Sequence, residues 1–226
     1  MINPGDDLIL QLTADRVCDI GTVKIRYGLD REGALLLIRS VRGYTHDIAV
    51  PGRGDHFGSF VLCTAVSLRR RYFNQQDSTL RHYCGLARMR YEMQAPPETY
   101  SHESDHAKDH YGSPYTYPDA YSERADGRTV WVEYDNGNYG KEMRRLKIQS
   151  AIDKRAPLWW GDASDQRIVM VAQQIARAFE LNEESDQRKG RIHRHPLEYR
   201  CLHVPWHRGS EVDIGAEPVK RLVTRF

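Results

Sequence analysis

The alternation of hydrophobic and polar residues is clearest in the middle of the chain. Residues 129–135 alternate with period two, which predicts a strand with Glu133 and Asp135 on one face and Tyr134 on the other. An Asn-Gly pair ends this strand, and residues 141–154 have the pattern of a basic helix. Asp119 follows a proline shortly before the strand, so three acidic residues are predicted near the ends of two neighbouring strands.

Hydrophobic periodicity also predicts the elements on either side of this stretch. Helices are predicted over residues 12–18, 31–42, 57–73, 80–93 and 164–180, and strands over residues 23–27, 158–160 and 200–206. Residues 95–118 are rich in Pro, His and Asp and are predicted to form a long surface loop. Helices that alternate with strands in this order indicate an α/β fold, with a mixed central sheet and helices on both faces.

Length and cysteine use limit the class of protein. At 226 residues the chain has the length of one large domain, or of one domain with a small appendage. It contains no apolar run long enough to span a membrane and no signal peptide, so we expect no membrane partner. Cys18, Cys63, Cys84 and Cys201 are scattered, with no CxxC motif, which favours reduced thiols in a cytoplasmic protein.

The net charge of +2 conceals a strong segregation of charge. Residues 68–90 and 188–208 are rich in arginine, whereas residues 98–135 are predominantly acidic. A metal site flanked by surfaces that bind a phosphate backbone has this distribution, although solvated helix faces are the alternative interpretation. The candidate nucleic-acid-binding residues are Arg69, Arg70, Arg71, Arg81, Arg88, Arg90, Arg144 and Arg145.

The acidic residues of the central stretch are candidate metal ligands. Asp119, Glu133 and Asp135 would supply carboxylate oxygens from adjacent strands, which suits Mg²⁺ or Mn²⁺. A lysine of the following helix, Lys141 or Lys147, would position the attacking water or the phosphate. In the alternative interpretation, Asp119 caps a turn and the other two acids form a solvated strand end.

Two further sets of residues have the types that bind metals: His102, His106 and His110, and Cys201, His203 and His207. The histidines of the first set recur every four residues, but the prolines and glycine around them argue against a helix that would align them. The spacing of the second set matches no standard pair of zinc-ligand clusters. We therefore favour structural roles for both sets.

Three short motifs in order resemble a known family. The segment His46-Asp47-Ile48-Ala49-Val50, the Pro118-Asp119-Ala120 strand start and the Glu133-to-Gly137 strand end resemble the replication-relaxation proteins. These proteins are encoded on bacterial plasmids and other mobile elements and belong to the PD-(D/E)XK nuclease-like superfamily. The resemblance covers residues 43–179.

The resemblance implies a restriction-endonuclease-like core and a set of site residues. Asp119 would take the place of the superfamily's first metal-binding aspartate and Glu133 that of its second acid. The superfamily's third position normally holds lysine, but Asp135 stands there, so Lys141 or Lys147 would have to replace that lysine. Glu92 would be the extra acid that many such nucleases place on a helix.

The resulting domain prediction has three parts. Residues 1–42 form a helical segment, interpreted as the remnant of a DNA-binding unit, residues 43–208 form the nuclease-like α/β domain, and residues 209–226 form a charged tail.

Three hypotheses for function remain open. The first is a DNA-processing protein of a mobile element, with Mg²⁺-dependent phosphodiester cleavage. The second, slightly favoured because the motif lysine is missing, is a DNA-binding factor of a replication or relaxation complex that does not cleave. The third is a module of a phage or mobile element that docks a protein partner through its tyrosine-rich run, Tyr111, Tyr115, Tyr117 and Tyr121.

Overall fold

A computed structural model describes residues 3–51, 60–105, 117–193, 195–205 and 221–222. The helices are α1 (Pro4–Asp15), α2 (Ile20–Tyr27), α3 (Arg31–Ser40), α4 (Asp77–Met93), α5 (Lys141–Asp153) and α6 (Asp165–Arg188). The strands are β1 (Cys18–Asp19), β2 (Tyr44–Pro51), β3 (Phe60–Ser67), β4 (Tyr100–His102), β5 (Ala120–Glu123), β6 (Thr129–Asp135), β7 (Leu158–Asp162), β8 (Tyr199–His203) and β9 (Arg221–Leu222). Among these helices, none combines the length and the apolar character that a membrane crossing requires.

The described residues divide into two compact units. One contains the residues up to Glu98 together with Val204 and Pro205, and the other contains Thr99–His203 and β9. The division therefore follows Glu98, whereas the sequence prediction placed a boundary after residue 42. Apart from β9, the predicted charged tail over residues 209–226 lies outside the described residues.

The first unit consists of α1–α4 and a three-stranded antiparallel sheet with the strand order β1-β3-β2. Helices α1, α2 and α3 begin where polar side chains accept backbone N–H groups. Asn3 accepts from Gly5, Asp19 from Thr22 and Asp30 from Gly33. Their buried faces form a hydrophobic cluster. The cluster includes Leu8, Leu12, Ile20, Val23, Ala34, Ile38, Val66 and Ala87.

The sequence predictions for this unit are partly confirmed. The predicted helices over residues 31–42 and 80–93 correspond to α3 and α4. The first helix begins eight residues earlier than predicted, at Pro4. The strand predicted over residues 23–27 is wrong, because Asp19 caps a helix there and Gly28, in the left-handed conformation, ends it.

The helix predicted over residues 57–73 is also wrong, because its described part contains β3. This strand lies between β1 and β2, and Cys63, Ala65 and Val66 are completely buried. A strand covered on both faces gives a continuous apolar run, and such a run does not distinguish a strand from a buried helix.

The second unit is built on a six-stranded mixed sheet with the order β4-β5-β6-β7-β8-β9. The central strands β6, β7 and β8 are parallel and the outer pairs are antiparallel. The predicted strands over residues 129–135, 158–160 and 200–206 are confirmed as β6, β7 and β8, and the predicted helices over 141–154 and 164–180 as α5 and α6. The predicted mixed α/β class is therefore confirmed.

Helices α5 and α6 connect the parallel strands and pack on the same face of this sheet. Trp131, Leu158 and Tyr199 are partners in the strand register, and all three belong to one hydrophobic cluster with Ile148 of α5 and Ile175 of α6. Within this unit the helices thus share a face, unlike the predicted arrangement on both faces. The segment that follows β6 therefore leads to the helix-covered face of the sheet, where α5 lies.

The segment predicted as a loop over residues 95–118 is partly regular. Tyr100–His102 forms β4 and pairs with β5 in an antiparallel register. Residues 106–116 of this segment lie outside the described residues.

Candidate functional site

Asp119 lies at the start of the β5–β6 hairpin of the six-stranded sheet. It directly precedes β5, and the register between Ala120 and Val132 brings it beside the second half of β6. One oxygen of its carboxylate, Oδ2, accepts the backbone N–H of Tyr134 at 2.8 Å. The hairpin therefore fixes the first acid next to the strand that carries the second.

Glu133 lies on β6 and its side chain is completely buried. It is the register partner of Trp160 on β7, and Trp160 belongs to the cluster that α5 and α6 cover. The side chain of Glu133 therefore points to the helix-covered face of the sheet. This placement follows the period-two alternation of the sequence.

Lys147 of α5 joins the two acids. Its ammonium Nζ lies 3.1 Å from Oδ1 of Asp119 and 3.0 Å from Oε2 of Glu133, and it donates to the carbonyl of Tyr117 at 2.6 Å. The side chain is only 4% exposed, because Lys147 shares the buried face of α5 with Ile148. The predicted proximity of Asp119, Glu133 and a lysine of this helix is present.

Tyr139 is a fourth member of the cluster, and no pattern of residues predicted its place there. Its hydroxyl lies 2.6 and 2.7 Å from the two carboxylate oxygens of Asp119 and 3.3 Å from Oε2 of Glu133. The residue is carried by the segment Asn136–Gly140 between β6 and α5, which we call the Tyr139 loop. No hydrophobic period marks such a residue, because its position depends on the path of the loop.

The electrostatics of this cluster favour a further cation. Burial, together with the neighbouring Asp119, raises the pKa of Glu133 well above its usual value, despite the opposing effect of Lys147. Burial on its own lowers the pKa of Lys147, but the two carboxylates outweigh it and raise that pKa. Among the described residues, Oε1 of Glu133 is buried without a hydrogen-bond partner. The two carboxylates thus share one ammonium, and one of their oxygens, Oε1 of Glu133, accepts no hydrogen bond from the described residues.

The donor set fits a magnesium-like ion through Asp119 and Glu133. Such ions are commonly bound by one or two carboxylates together with water and substrate phosphates. Within the described ranges, no group of three His, Cys, Asp or Glu side chains is arranged to hold a metal ion. Any cation there would therefore depend on the carboxylate pair, by which we mean Asp119 and Glu133, and on ligands from outside the chain.

The third predicted ligand, Asp135, makes different contacts. Its Oδ1 accepts the backbone N–H groups of Gly137 at 2.8 Å and Tyr139 at 3.1 Å. Its Oδ2 lies 3.7 Å from Nη1 of Arg144. Asp135 therefore holds the Tyr139 loop in this structure, and its assignment as a metal ligand stays a prediction.

A second charged group occupies the carboxyl ends of the parallel strands. Asp135, Asp162 and His203 are successive register partners on β6, β7 and β8. Arg167 donates to both oxygens of Asp162, at 2.7 and 2.8 Å, and burial raises the pKa of Asp162 despite this pairing. The sequence signal for Asp162 was its place at the end of a buried strand, where polar side chains of parallel sheets converge.

The predicted basic residues occupy very different environments. Arg69, Arg70 and Arg71 are exposed in the first unit, and Arg81 and Arg88 are half-buried there. In the second unit Arg145 is exposed and pairs with Glu142, Arg144 donates to the carbonyl of Tyr139, and Lys141 is the exposed first residue of α5. Of the two lysines proposed for the site, only Lys147 contacts the acids among the described contacts.

The assignment of Arg90 to nucleic-acid binding is wrong for this conformation, because its side chain is completely buried. The guanidinium donates to both oxygens of Asp15, at 2.5 and 2.7 Å, and to Gln11 at 2.6 Å. Glu92, the proposed extra acid, pairs with Arg88 at 3.2 Å on the same helix.

The other candidate metal ligands are only partly described. His102 is buried on β4, whereas His106, His110 and His207 lie outside the described residues. Nε2 of His203 lies 2.6 Å from Oδ1 of Asp165. All four cysteines are buried as free thiols, in agreement with the prediction of reduced cysteines.

Comparison with known proteins adds no relative to these observations. No family model matches the chain, and neither a curated protein nor a solved structure matches it significantly.

Proposed function

We propose that this protein processes nucleic acid, and that its second unit cleaves phosphodiester bonds with a divalent cation held by Asp119 and Glu133. The observation that carries the proposal is the shared contact of these two carboxylates with the ammonium of Lys147. Two acids from adjacent strands and a lysine are the set that the resemblance to PD-(D/E)XK nucleases implies. The role in replication or relaxation of a mobile element rests on that resemblance.

The arrangement of the second unit supports a restriction-endonuclease-like core. Its acids lie on an antiparallel hairpin, β5–β6, and a cationic helix leads from β6 to the parallel strand β7. Lysine is absent from the usual position, which Asp135 occupies, but Lys147 brings an ammonium to the same two acids from α5. The role of that lysine requires a positive charge at the acids and not a particular place in the chain.

Each residue of the site has a chemical task in this proposal. Asp119 and Glu133 bind the cation, which when bound would stabilise negative charge on the phosphoryl oxygen and lower the pKa of water. Lys147 holds the two carboxylates together and positions the attacking water or the phosphate. The backbone carbonyl of Tyr117 fixes the ammonium by accepting a hydrogen bond from it.

Exposed arginines of the first unit are proposed to bind the phosphate backbone. Arg69, Arg70 and Arg71 precede and begin a short 3₁₀ helix and are exposed, in contrast to the buried Arg90. Contacts with phosphates release counterions, so binding should weaken steeply with salt.

The proposal is tested by nicking of supercoiled plasmid DNA in Mn²⁺. We expect the parent protein to nick, and the Asp119→Asn and Glu133→Gln variants to lose about a hundredfold or more of the rate, because each loses a negative charge that would hold the cation. Glu123→Gln is the matched control: Glu123 is an exposed acid at the end of β5, and its variant should keep the parent rate. Circular dichroism and thermal melting confirm that each variant is folded.

A second function, binding of DNA without cleavage, is favoured by one observation. Lys147 and Tyr139 already contact the carboxylate pair, and the described residues offer no third acidic ligand. Intact plasmid in Mn²⁺, combined with salt-sensitive retention of DNA, would support this function and contradict the first. If the protein neither cleaves nor retains DNA, both functions are excluded and a docking role remains.

A further inference from the structure

We infer that Tyr139 is a built-in plug of the candidate site, whose hydroxyl occupies the position between the carboxylates that a divalent cation would take. The inference rests on the proposed function, because it concerns access of the cation to the same carboxylate pair. It adds a regulatory element: the free protein holds the site closed, and the Tyr139 loop must move before a cation binds.

The hydroxyl of Tyr139 contacts both members of the carboxylate pair. Three carboxylate oxygens lie within 3.3 Å of it, two from Asp119 and one from Glu133. A neutral phenol carries one proton, so it can donate to only one of these oxygens at a time. These oxygens also contact the ammonium of Lys147 or the backbone N–H of Tyr134, but a divalent cation would interact with them more favourably than the uncharged hydroxyl does.

The ring of Tyr139 is held in place from two sides. It packs edge-on against Trp160 with the ring centroids 5.8 Å apart, and the ammonium of Lys147 lies 5.6 Å from its centroid. The hydroxyl at the far end of the ring is a hydrogen-bond donor and lies 2.6 Å from Oδ1 of Asp119. The plug is therefore ordered by the same residues that form the site.

The backbone of the Tyr139 loop is fixed by Asp135. One oxygen of this acid accepts the N–H groups of both Gly137 and Tyr139. Gly137 has a φ of 98°, which side-chain-bearing residues rarely adopt, and a Cβ there would lie 2.9 Å from Nη1 of Arg167. Asp135 thus acts as a positioning residue for Tyr139, at the chain position where the resembling nucleases carry lysine.

The loop is suited to move as a unit. It lies between the end of β6 and the first residue of α5. Its last residue, Gly140, accepts the backbone N–H of Arg144 in α5, so a displacement of residues 136–139 leaves both the strand ladder and the helix intact. Gly137, Asn138 and Gly140 are exposed, so the contacts to be broken are those of the Tyr139 side chain and the backbone hydrogen bonds with Asp135 and Arg144.

The inference is tested by calorimetric titration of the full chain with Mn²⁺ alone. In Tyr139→Phe the cation no longer competes with a hydrogen bond to a charged group, so the Kd for Mn²⁺ should fall about tenfold. Tyr199→Phe is the matched control, because this tyrosine lies on β8 of the same sheet and packs against Phe179. Its Kd should equal that of the parent.

Asp135→Ala, which removes the oxygen that accepts both loop N–H groups, separates a positioning role from the ligand role first predicted for this residue. If Asp135 holds the plug, the variant releases the loop and tightens Mn²⁺ binding, and combining it with Tyr139→Phe adds little more. If Asp135 is a metal ligand, the variant weakens binding. A merely structural role would lower the melting temperature and leave the Kd unchanged.

Each outcome of the titration has a separate meaning. Tighter binding by Tyr139→Phe with an unchanged control supports the plug. Equal or weaker binding by this variant, while the parent binds Mn²⁺, overturns the plug and leaves the proposed function standing. Absence of Mn²⁺ binding by the parent and by both tyrosine variants overturns the metal site and the plug together.

Discussion

At the scale of single residues, burial determines which charged side chains have distinctive chemistry. Glu133 is completely buried and shares one ammonium with a second acid, whereas Glu123 of the adjacent strand is exposed to solvent. Composition treats the two glutamates alike, and only their positions in the sheet distinguish them. The same contrast separates the buried Arg90 from the exposed Arg69.

The raised pKa of Glu133 predicts a pH-dependent contribution to stability. A carboxyl whose pKa is higher in the folded than in the unfolded protein stabilises the fold below the unfolded pKa of about 4.3. That contribution is lost as the pH rises through the folded pKa, at up to about 1.4 kcal/mol per pH unit. The free energy of unfolding of the parent, relative to that of Glu133→Gln, should therefore fall as the pH rises above about 4.3.

Urea denaturation of the parent and Glu133→Gln across this pH range measures the effect. The difference between their free energies of unfolding cancels the contributions of the other buried acids. Glu123→Gln is the control and should show no pH-dependent difference. A flat difference for Glu133→Gln would show that the carboxyl titrates normally in the folded protein.

Some residues of the candidate site could be predicted from the sequence and others could not. Period-two alternation correctly placed Glu133 and Asp135 on one face of β6, and the basic helix after it supplied the lysine near the acids. Tyr139 was missed because a loop residue reaches the site through backbone turns that no periodic pattern encodes. The contacts of Asp135 were missed for the same reason, since they are made with the backbone of that loop.

At the scale of secondary-structure elements, those with an amphipathic pattern were predicted correctly, whereas short or fully buried elements were not. Helix α6 was predicted from Ile168, Val171 and Ile175, which lie at helical spacing and are buried. The predictions for strand β3 and helix α2 were wrong in opposite directions: the strand was predicted as a helix and the helix as a strand. The strand is covered on both faces and shows no alternation, and the eight-residue helix is too short for a clear period.

The packing of α1 against α4 depends on an ion pair that these patterns cannot reveal. Replacing Arg90 with Met should leave Asp15 as an uncompensated buried charge and reduce the free energy of unfolding by about 3–5 kcal/mol. Urea denaturation at neutral pH measures this loss. Arg69→Met removes an exposed arginine and should change stability by no more than about 0.5 kcal/mol.

Restoring neutrality provides a second check on this pair. Adding Asp15→Asn to Arg90→Met removes the buried charge and should recover part of the lost stability. If Arg90→Met unfolds at the same urea concentration as the parent, the buried pair does not hold the two helices together.

At the scale of the whole molecule, the exposed arginines and the candidate site belong to different units. The first unit carries the exposed arginines 69–71, and the second carries the carboxylate pair with Lys147 and Tyr139. The sequence correctly predicted the mixed α/β class. It did not predict the division after Glu98: Pro96 and Pro97 directly precede that point, but the boundary depends on long-range packing.

The central claim is that Asp119, Glu133 and Lys147 form one phosphodiester-cleaving site, and Lys147 tests it most directly. The most direct measurement is the rate of plasmid nicking in saturating Mn²⁺ by the parent and by Lys147→Met, with Lys141→Met as control because Lys141 is exposed on the same helix. The account predicts that Lys147→Met loses about a hundredfold or more of the parent rate while Lys141→Met retains it. Equal rates for the parent and Lys147→Met, or no Mn²⁺-dependent nicking by the parent, would contradict it.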